Sequence, residues 1–260
     1  MSRAGEPTES GVSGGGFPRV VNHRGRTLPV TLGTVVAGAG GLGALVVFVT
    51  LDVPAGGVAA TIGCALVFAA GFVDDRSPGG PRGVRSHLRE LGRLHVTTGI
   101  VKLIVIAASA VVVAASLPSR GSASIAGVVL LAGSANLWNG LDVRPGRAVK
   151  AFLPVAAAVL VAGVALELAP PLPGVVAGAV AVLPADLRER AVLGDGGSNL
   201  LGFAAGLGLY LVLPGWGVWV AAGCAVALNV LADTMTLSRA IQATPPLRWF
   251  DGLGRIPLEP

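Results

Sequence analysis

The stretch VAATIGCALVFAAGFVDD, residues 58–75, decides how the chain is read. An almost purely apolar run from Val58 to Val73 ends in two adjacent carboxylates, Asp74 and Asp75. The run suits the interior of a lipid bilayer. A carboxylate kept at the mouth of such a run is costly, and is usually kept for function. Two side by side repel each other unless a cation or a basic group holds them. The plain alternative is a polar stop that ends a membrane helix.

The rest of the chain points to the same medium. Of 260 residues, 53% are hydrophobic and 13% charged, and the mean hydropathy is +0.75. Soluble domains carry roughly 25% charged residues, so the composition implies an integral membrane protein. The net charge of +5 is almost entirely arginine, since Lys102 and Lys150 are the two lysines. In a membrane protein such an excess marks cytoplasmic loops and anionic partners, either headgroups or phosphates, rather than nucleic acid. Cys64 and Cys224 both lie in apolar runs. Buried inert thiols are therefore expected, not a disulfide or a metal site. Residues 1–28, rich in Gly, Ser and Arg, read as a disordered cytoplasmic arm without a cleavable signal peptide.

Eight apolar segments can be marked, at about 29–50, 56–74, 99–117, 123–138, 148–168, 172–185, 198–213 and 216–234. They are too long and too uniformly apolar for a membrane barrel. The expected fold is all-α: a polytopic helical bundle with about eight transmembrane helices, one domain over 29–237, and a cytoplasmic tail over 238–260. The connections at 76–98, 139–147 and 186–197 and the tail are basic, whereas the intervening ones hold one arginine, Arg120. The positive-inside rule then puts both termini in the cytoplasm. Asp74 and Asp75, the 136–142 stretch and the 194–195 turn all fall on that face. No internal repeat is seen, which argues against an inverted-repeat transporter.

Four constellations carry chemistry. Asp74, Asp75 and Asp195 offer three hard-oxygen carboxylates on one face, where magnesium in phosphoryl transfer is typically held by one or two together with substrate phosphate oxygens. Asn136-Leu137-Trp138-Asn139-Gly140-Leu141-Asp142 ends the fourth segment with amides and a carboxylate suited to a nucleobase or sugar, or to capping a helix. Leu193-Gly194-Asp195-Gly196-Gly197-Ser198-Asn199 is a turn that lets a ligand approach and leads into a helix N-terminus able to receive phosphate. Arg82, Arg85, Arg89 and Arg93, followed by Thr97, Thr98 and Lys102, form a basic connection suited to phosphate or to lipid headgroups. His87 and His95 read as interfacial polar residues.

Together these stretches resemble the polyprenyl-phosphate sugar-1-phosphate transferases, which include phospho-N-acetylmuramoyl-pentapeptide transferase and the UDP-N-acetylglucosamine–undecaprenyl-phosphate transferases. Gly71-Phe72-Val73-Asp74-Asp75 looks like their Gly-Phe-hydrophobic-Asp-Asp motif. The 136–142 and 193–198 stretches look like their Asn-Leu-x-Asp-Gly-Leu-Asp and Met-Gly-Asp-x-Gly-Ser motifs, in the same order. The resemblance spans roughly residues 20–240. It implies a multi-pass cell-membrane enzyme of cell-envelope glycan and peptidoglycan synthesis, with its active site on the cytoplasmic face. Such an enzyme moves the sugar-1-phosphate of a UDP-sugar (an N-acetyl amino sugar by the same resemblance) to polyprenyl phosphate, releasing UMP with the help of Mg²⁺.

By carry-over, Asp74, Asp75 and Asp195 are the catalytic residues, with Asp195 and Asp75 on the metal. Asn136, Asn139, Asp142, Lys102, Gly194 and Ser198 bind substrate. The implied partners are the lipid phosphate, the UDP-sugar and the membrane; nucleic acid is not among them, and a homodimer is left open. Three features depart from the pattern. Asn139 replaces the usual aspartate, no histidine follows His95, and eight spans stand where relatives have about ten. The alternative reading is a catalytically impaired member that binds polyprenyl lipid or serves assembly.

Overall fold

The computed structural model describes residues 17–22, 24–77, 97–234 and 237–256. The arginine-rich connection from Arg82 to Arg93, with His87 and His95, lies outside the described residues. Apart from a short hairpin, the described chain is helical. The helices are α1 (Leu32–Thr50), α2 (Ala55–Asp75), α3 (Thr98–Ser116), α4 (Ala123–Leu141), α5 (Arg147–Val161), α6 (Leu172–Leu187), α7 (Gly194–Val212), α8 (Gly215–Thr234), α9 (Leu237–Ala243) and α10 (Pro245–Gly252). Each of the eight apolar segments corresponds to one of the first eight helices. Among the described residues, α1, α2, α3, α4 and α8 are long and apolar enough to cross a bilayer. They present many large apolar side chains outward, such as Leu42, Val49, Ile62, Ile104, Val111 and Trp216. A folded helix leaves a row of such residues exposed where its surroundings are lipid.

Helix α7 is the axis of the bundle. Fourteen of its nineteen residues are buried, so it has no polar face for water and no apolar face for lipid. Its small residues let other helices come close. A Cβ on Gly197 would lie 2.5 Å from the Gly33 Cα of α1, one on Gly196 3.1 Å from the Phe72 nitrogen of α2, and one on Gly206 3.0 Å from the Leu131 Cα of α4. Two residues on, about half a turn around the helix, a Cβ on Gly208 would lie 2.7 Å from the Val159 side chain of α5. Successive turns of one helix thus seat four neighbours. At its far end the Arg120 guanidinium donates to the Tyr210 and Leu213 carbonyls, closing the open C-terminal carbonyls of α7.

Three boundaries differ from the sequence reading. The fifth apolar segment, expected as one helix over 148–168, stops at Val161. Gly163 at φ +76° turns the chain out of the helix, and Leu166–Leu168 forms a separate 3₁₀ turn. The seventh helix starts at Gly194 rather than 198, which puts Asp195 in its first turn. Part of the arm expected to be disordered is a hairpin of β1 (Arg19–Val21) and β2 (Thr27–Pro29), with Val20 opposite Leu28. Its end is stitched to the stretch before α7: the Val192 N–H donates to the Pro29 carbonyl at 3.0 Å, and the Leu32 N–H to the Val192 carbonyl at 3.2 Å. Those backbone bonds give the arm the order that its own composition does not.

The packing around α7 generates a stability prediction. A Cβ at Gly202 would fall 2.8 Å from the Ala135 Cα. Gly202→Val is therefore expected to force α4 from α7 and destabilise the fold by about 1–3 kcal/mol or more, read as a lowered thermal midpoint in detergent. Gly38→Ala opens into empty space and is expected to be neutral or slightly stabilising. Equal midpoints for the two variants would contradict the packing.

Candidate active site

The end of α2, the start of α3 and the first turn of α7 meet at one end of the bundle. Thr97 caps α3, its hydroxyl accepting from the Ile100 N–H at 3.3 Å. This cap sets the register of the next turn. The Thr98 hydroxyl then donates to Asp74 Oδ1 at 2.6 Å, and Lys102, one turn on, donates from Nζ to Asp74 Oδ2 at 2.5 Å. The same ammonium donates to Asp195 Oδ2. Lys102 is buried, at 6% exposure, so it does not snorkel to water. It is held between two carboxylates of different helices.

Asp75 turns the other way. Its Oδ1 accepts from the Asp195 N–H at 2.9 Å and its Oδ2 from the Gly196 N–H at 3.1 Å. A carboxylate from α2 thus caps the orphan amides of α7, where a negative charge is favoured. This explains two glycines of the motifs. A Cβ on Gly71 would lie 2.6 Å from both the Asp195 carbonyl oxygen and the Gly196 nitrogen. Gly194 has φ +74°, and a Cβ there would fall 2.8 Å from Asp75 Oδ2.

The nucleotide-side candidates divide. The Ser198 hydroxyl donates to the Gly194 carbonyl at 2.8 Å and lies 3.3 Å from Asn139 Oδ1. Asn199 donates to the Asp195 carbonyl at 2.6 Å, while its own Oδ1 is buried without a partner. Asp142 sits just past α4 and faces the Gly194 N–H. Burial above all, and then the carboxylates of Asp186, Asp195 and Asp75, push the Asp142 carboxyl well above its ordinary value. Asn139, Asp142, Gly194 and Ser198 are therefore brought to the aspartates.

Asn136 is not. Its amide donates to Asn229 Oδ1 at 2.5 Å, and Asn229 donates to the Gly133 and Ala225 carbonyls at 2.9 and 2.8 Å. Three residues before Asn139, Asn136 is tied to α8 and is not brought to the aspartates.

Several residues escaped the sequence reading. Asp186, in the last turn of α6, is 3% exposed, and its Oδ2 has no partner. It repeats the signal of Asp74, a carboxylate ending an apolar run. Arg147 grips Asp251 of α10 through two hydrogen bonds, at 2.8 and 2.9 Å, and Arg255 adds two more. Lys150 donates to the carbonyls of Phe250, Asp251 and Leu253 at 3.0, 2.6 and 3.0 Å. The tail is thus bolted to the first turn of α5. Burial pushes the Asp251 carboxyl up, but the hydrogen bonds and charges of Arg147 and Arg255 outweigh it and hold the group below its usual value. This pairing joins residues 104 apart in the chain, beyond the reach of any local pattern.

Among the described residues, no group of three or more His, Cys, Asp or Glu is placed to hold a metal ion. Magnesium needs less: one or two carboxylates, completed by water and phosphate oxygens. Asp74 and Asp195 would offer such hard oxygens only to an ion that takes the place of the Lys102 ammonium they share. Asp75, expected on the metal, has both oxygens engaged by backbone amides. Neither a family model nor any curated protein or solved structure matches the chain.

Two predictions follow from these charges. Lys102→Met leaves Asp74 and Asp195 facing each other uncompensated. It is expected to destabilise the fold by about 3 kcal/mol, the low end for a broken buried pair, because the Asp195 side chain is 34% open to solvent. Adding Asp74→Asn should restore part of the loss; a double variant no more stable than the single one would refute the shared charge. Separately, a carboxyl titrating below its usual value contributes stability that is present above the ordinary value of about 4 and lost as pH falls through the lower folded value. The Asp251 clamp is thus expected to hold near neutrality and to release on acidification below about pH 4, seen as faster hydrogen exchange over 245–256 than in α7. Unchanged protection at about pH 2 would contradict it.

Proposed function

We propose that this protein is a membrane phosphoglycosyl transferase that moves a sugar-1-phosphate from a UDP-sugar to polyprenyl phosphate in cell-envelope glycan synthesis. The reading extends to eight crossings, both termini in the cytoplasm, and the site on the cytoplasmic face of the cell membrane. One observation carries it: Asp74, Asp75, Lys102 and Asp195, drawn from three helices and motifs about 120 residues apart, meet at a single point. A carboxylate pair that merely ended a helix would need no partners.

In the proposed reaction, a phosphate oxygen of the lipid attacks the sugar-bearing phosphorus of the UDP-sugar. The bond from that phosphorus to the bridging oxygen breaks, UMP leaves with the electron pair, and a polyprenyl-diphospho-sugar forms. Lys102 offers the positive charge that draws the phosphates in, and Thr98 and Lys102 keep Asp74 oriented. Asp75 holds the first turn of α7, so that Asp195 and Ser198 stay in place. Asp142 and Asn139 stand on the nucleoside side. Mg²⁺, held by Asp74 and Asp195, would supply charge neutralisation on the diphosphate oxygens.

A second feature supports a lipid acceptor. The helices that carry Asp74 and Lys102 also enclose an apolar groove of about 530 Å³, lined by Ala55, Ile62, Leu66, Val105 and Val112 among others. Val105 is one turn from Lys102, and Leu66 is about 12 Å along α2 from Asp74 at 1.5 Å per residue. An isoprenoid chain laid there would present its phosphate to Lys102.

The alternative, a member that binds lipid phosphate without turnover, draws on the Lys102 ammonium standing between the two metal-side carboxylates. Purified protein given polyprenyl phosphate, Mg²⁺ and a panel of UDP-sugars is expected to release UMP. Asp195→Asn should lower the rate about 100-fold or more, as loss of a charge-stabilising group does. Folded protein that binds the lipid phosphate yet releases no UMP with any sugar would favour the alternative.

A further inference from the structure

The C-terminal segment carries an exposed surface that the proposed reaction does not use. Leu247, Trp249, Phe250, Leu253 and Ile256 are 49, 69, 38, 40 and 39% exposed within ten residues. Prolines 245 and 246, which start α10, are exposed as well. Contiguous apolar exposure of this kind marks a surface meant to be covered. Asp251 points inward at 3% exposure, so Trp249, two residues earlier on the same helix, points outward.

Two observations say what covers it. The first is depth. The clamp of Arg147 and Lys150 on Asp251 and on the carbonyls of residues 250–253 holds the end of α10 beside the first turn of α5. The segment also follows α8, one of the helices apolar enough to cross the bilayer. It therefore sits at the rim of the apolar bundle. The second is charge. Between residues 237 and 256 the only carboxylate is the buried Asp251, whereas Arg239 and Arg248 are exposed. An aromatic and aliphatic edge flanked by arginines, without exposed acids, is the chemistry of a helix lying in the headgroup layer of an anionic membrane.

We infer that α10 and the turn after it form an interfacial anchor, with Trp249 at the boundary between headgroups and acyl chains and Arg239 and Arg248 against lipid phosphates. The Asp251 clamp fixes this anchor to α5 and keeps its apolar edge turned outward.

The full chain, with Cys224→Ser and either Trp249→Cys, Leu253→Cys or Gln242→Cys, would carry a nitroxide label in nanodiscs containing phosphatidylglycerol. Collision rates with oxygen and with a water-soluble nickel chelate then report the depth of the label. The oxygen-to-nickel ratio is expected to be about threefold or more higher at 249 and 253 than at 242, as for side chains in the interface. It should fall toward the 242 value in phosphatidylcholine alone. Nickel access at 249 and 253 equal to that at 242 would place the surface in water, and low access to both reagents would place it against protein; either result overturns the anchor. An unchanged ratio in phosphatidylcholine overturns the role given to the arginines. None of these outcomes depends on transferase activity.

Discussion

How near a backbone can come to α7 is the constraint on which the bundle depends. Lipid gives no hydrophobic reward for pressing helices together, so association rests on close contact and on polar bonds. Glycine at 196, 197, 202, 206 and 208 brings α1, α2, α4 and α5 against one axis. That closeness places the end of α2 over the first turn of α7, near enough for Asp75 to accept two of its amides. A side chain in the way would separate the carboxylates as well as the helices. Packing and chemistry here share one cause.

The electrostatics of the site follow from that placement. Asp75 has its charge distributed over helix amides. Asp74 and Asp195 instead share one ammonium, with the Thr98 hydroxyl on the other oxygen of Asp74. One lysine for two carboxylates leaves negative charge uncompensated, an arrangement that favours further cations. Burial, together with that excess, is what pushes the Asp142 carboxyl up toward its neutral form. The basic residues Arg147, Lys150 and Arg255 are instead bound to the tail through Asp251 and nearby carbonyls. Acidic and basic groups are thus sorted into two adjoining zones at one end of the bundle.

The helices were legible because an apolar run long enough for a bilayer leaves few alternatives, and each of the eight segments is a helix. The convergence of Asp74, Asp75 and Asp195 could be anticipated from the alternation of charged connections, which put all three on one face. Their division of labour could not be. Whether Asp75 meets a metal or a helix amide depends on the rotation of α2 about its axis, set by Gly71 against Asp195. Asn136 and Asn139, less than one turn apart on α4, likewise part company: Asn136 pairs with Asn229 of α8 and Asn139 lies beside Ser198 of α7. Arg120, the lone arginine among the non-basic connections, is explained by the carbonyls it caps. The Asp251 clamp and the ordered hairpin arise from pairings between distant segments, which leave no local signature.

The pairing of Val30 with Val192 joins residues from opposite ends of the bundle's sequence. The hairpin pairs within itself, but its outer edge at Pro29 and Val30 stays open until the stretch just before α7 has been made. Long-range closure of this sort comes late in folding. The turn that bears Asp195 is supported on one side by that pairing and on the other by Asp75. A nascent chain that has emitted six helices therefore has neither the axis nor the charged cluster. Until then the chain carries the apolar surface of its first six helices without the first turn of α7, and so without the Asp195 that completes the charged cluster.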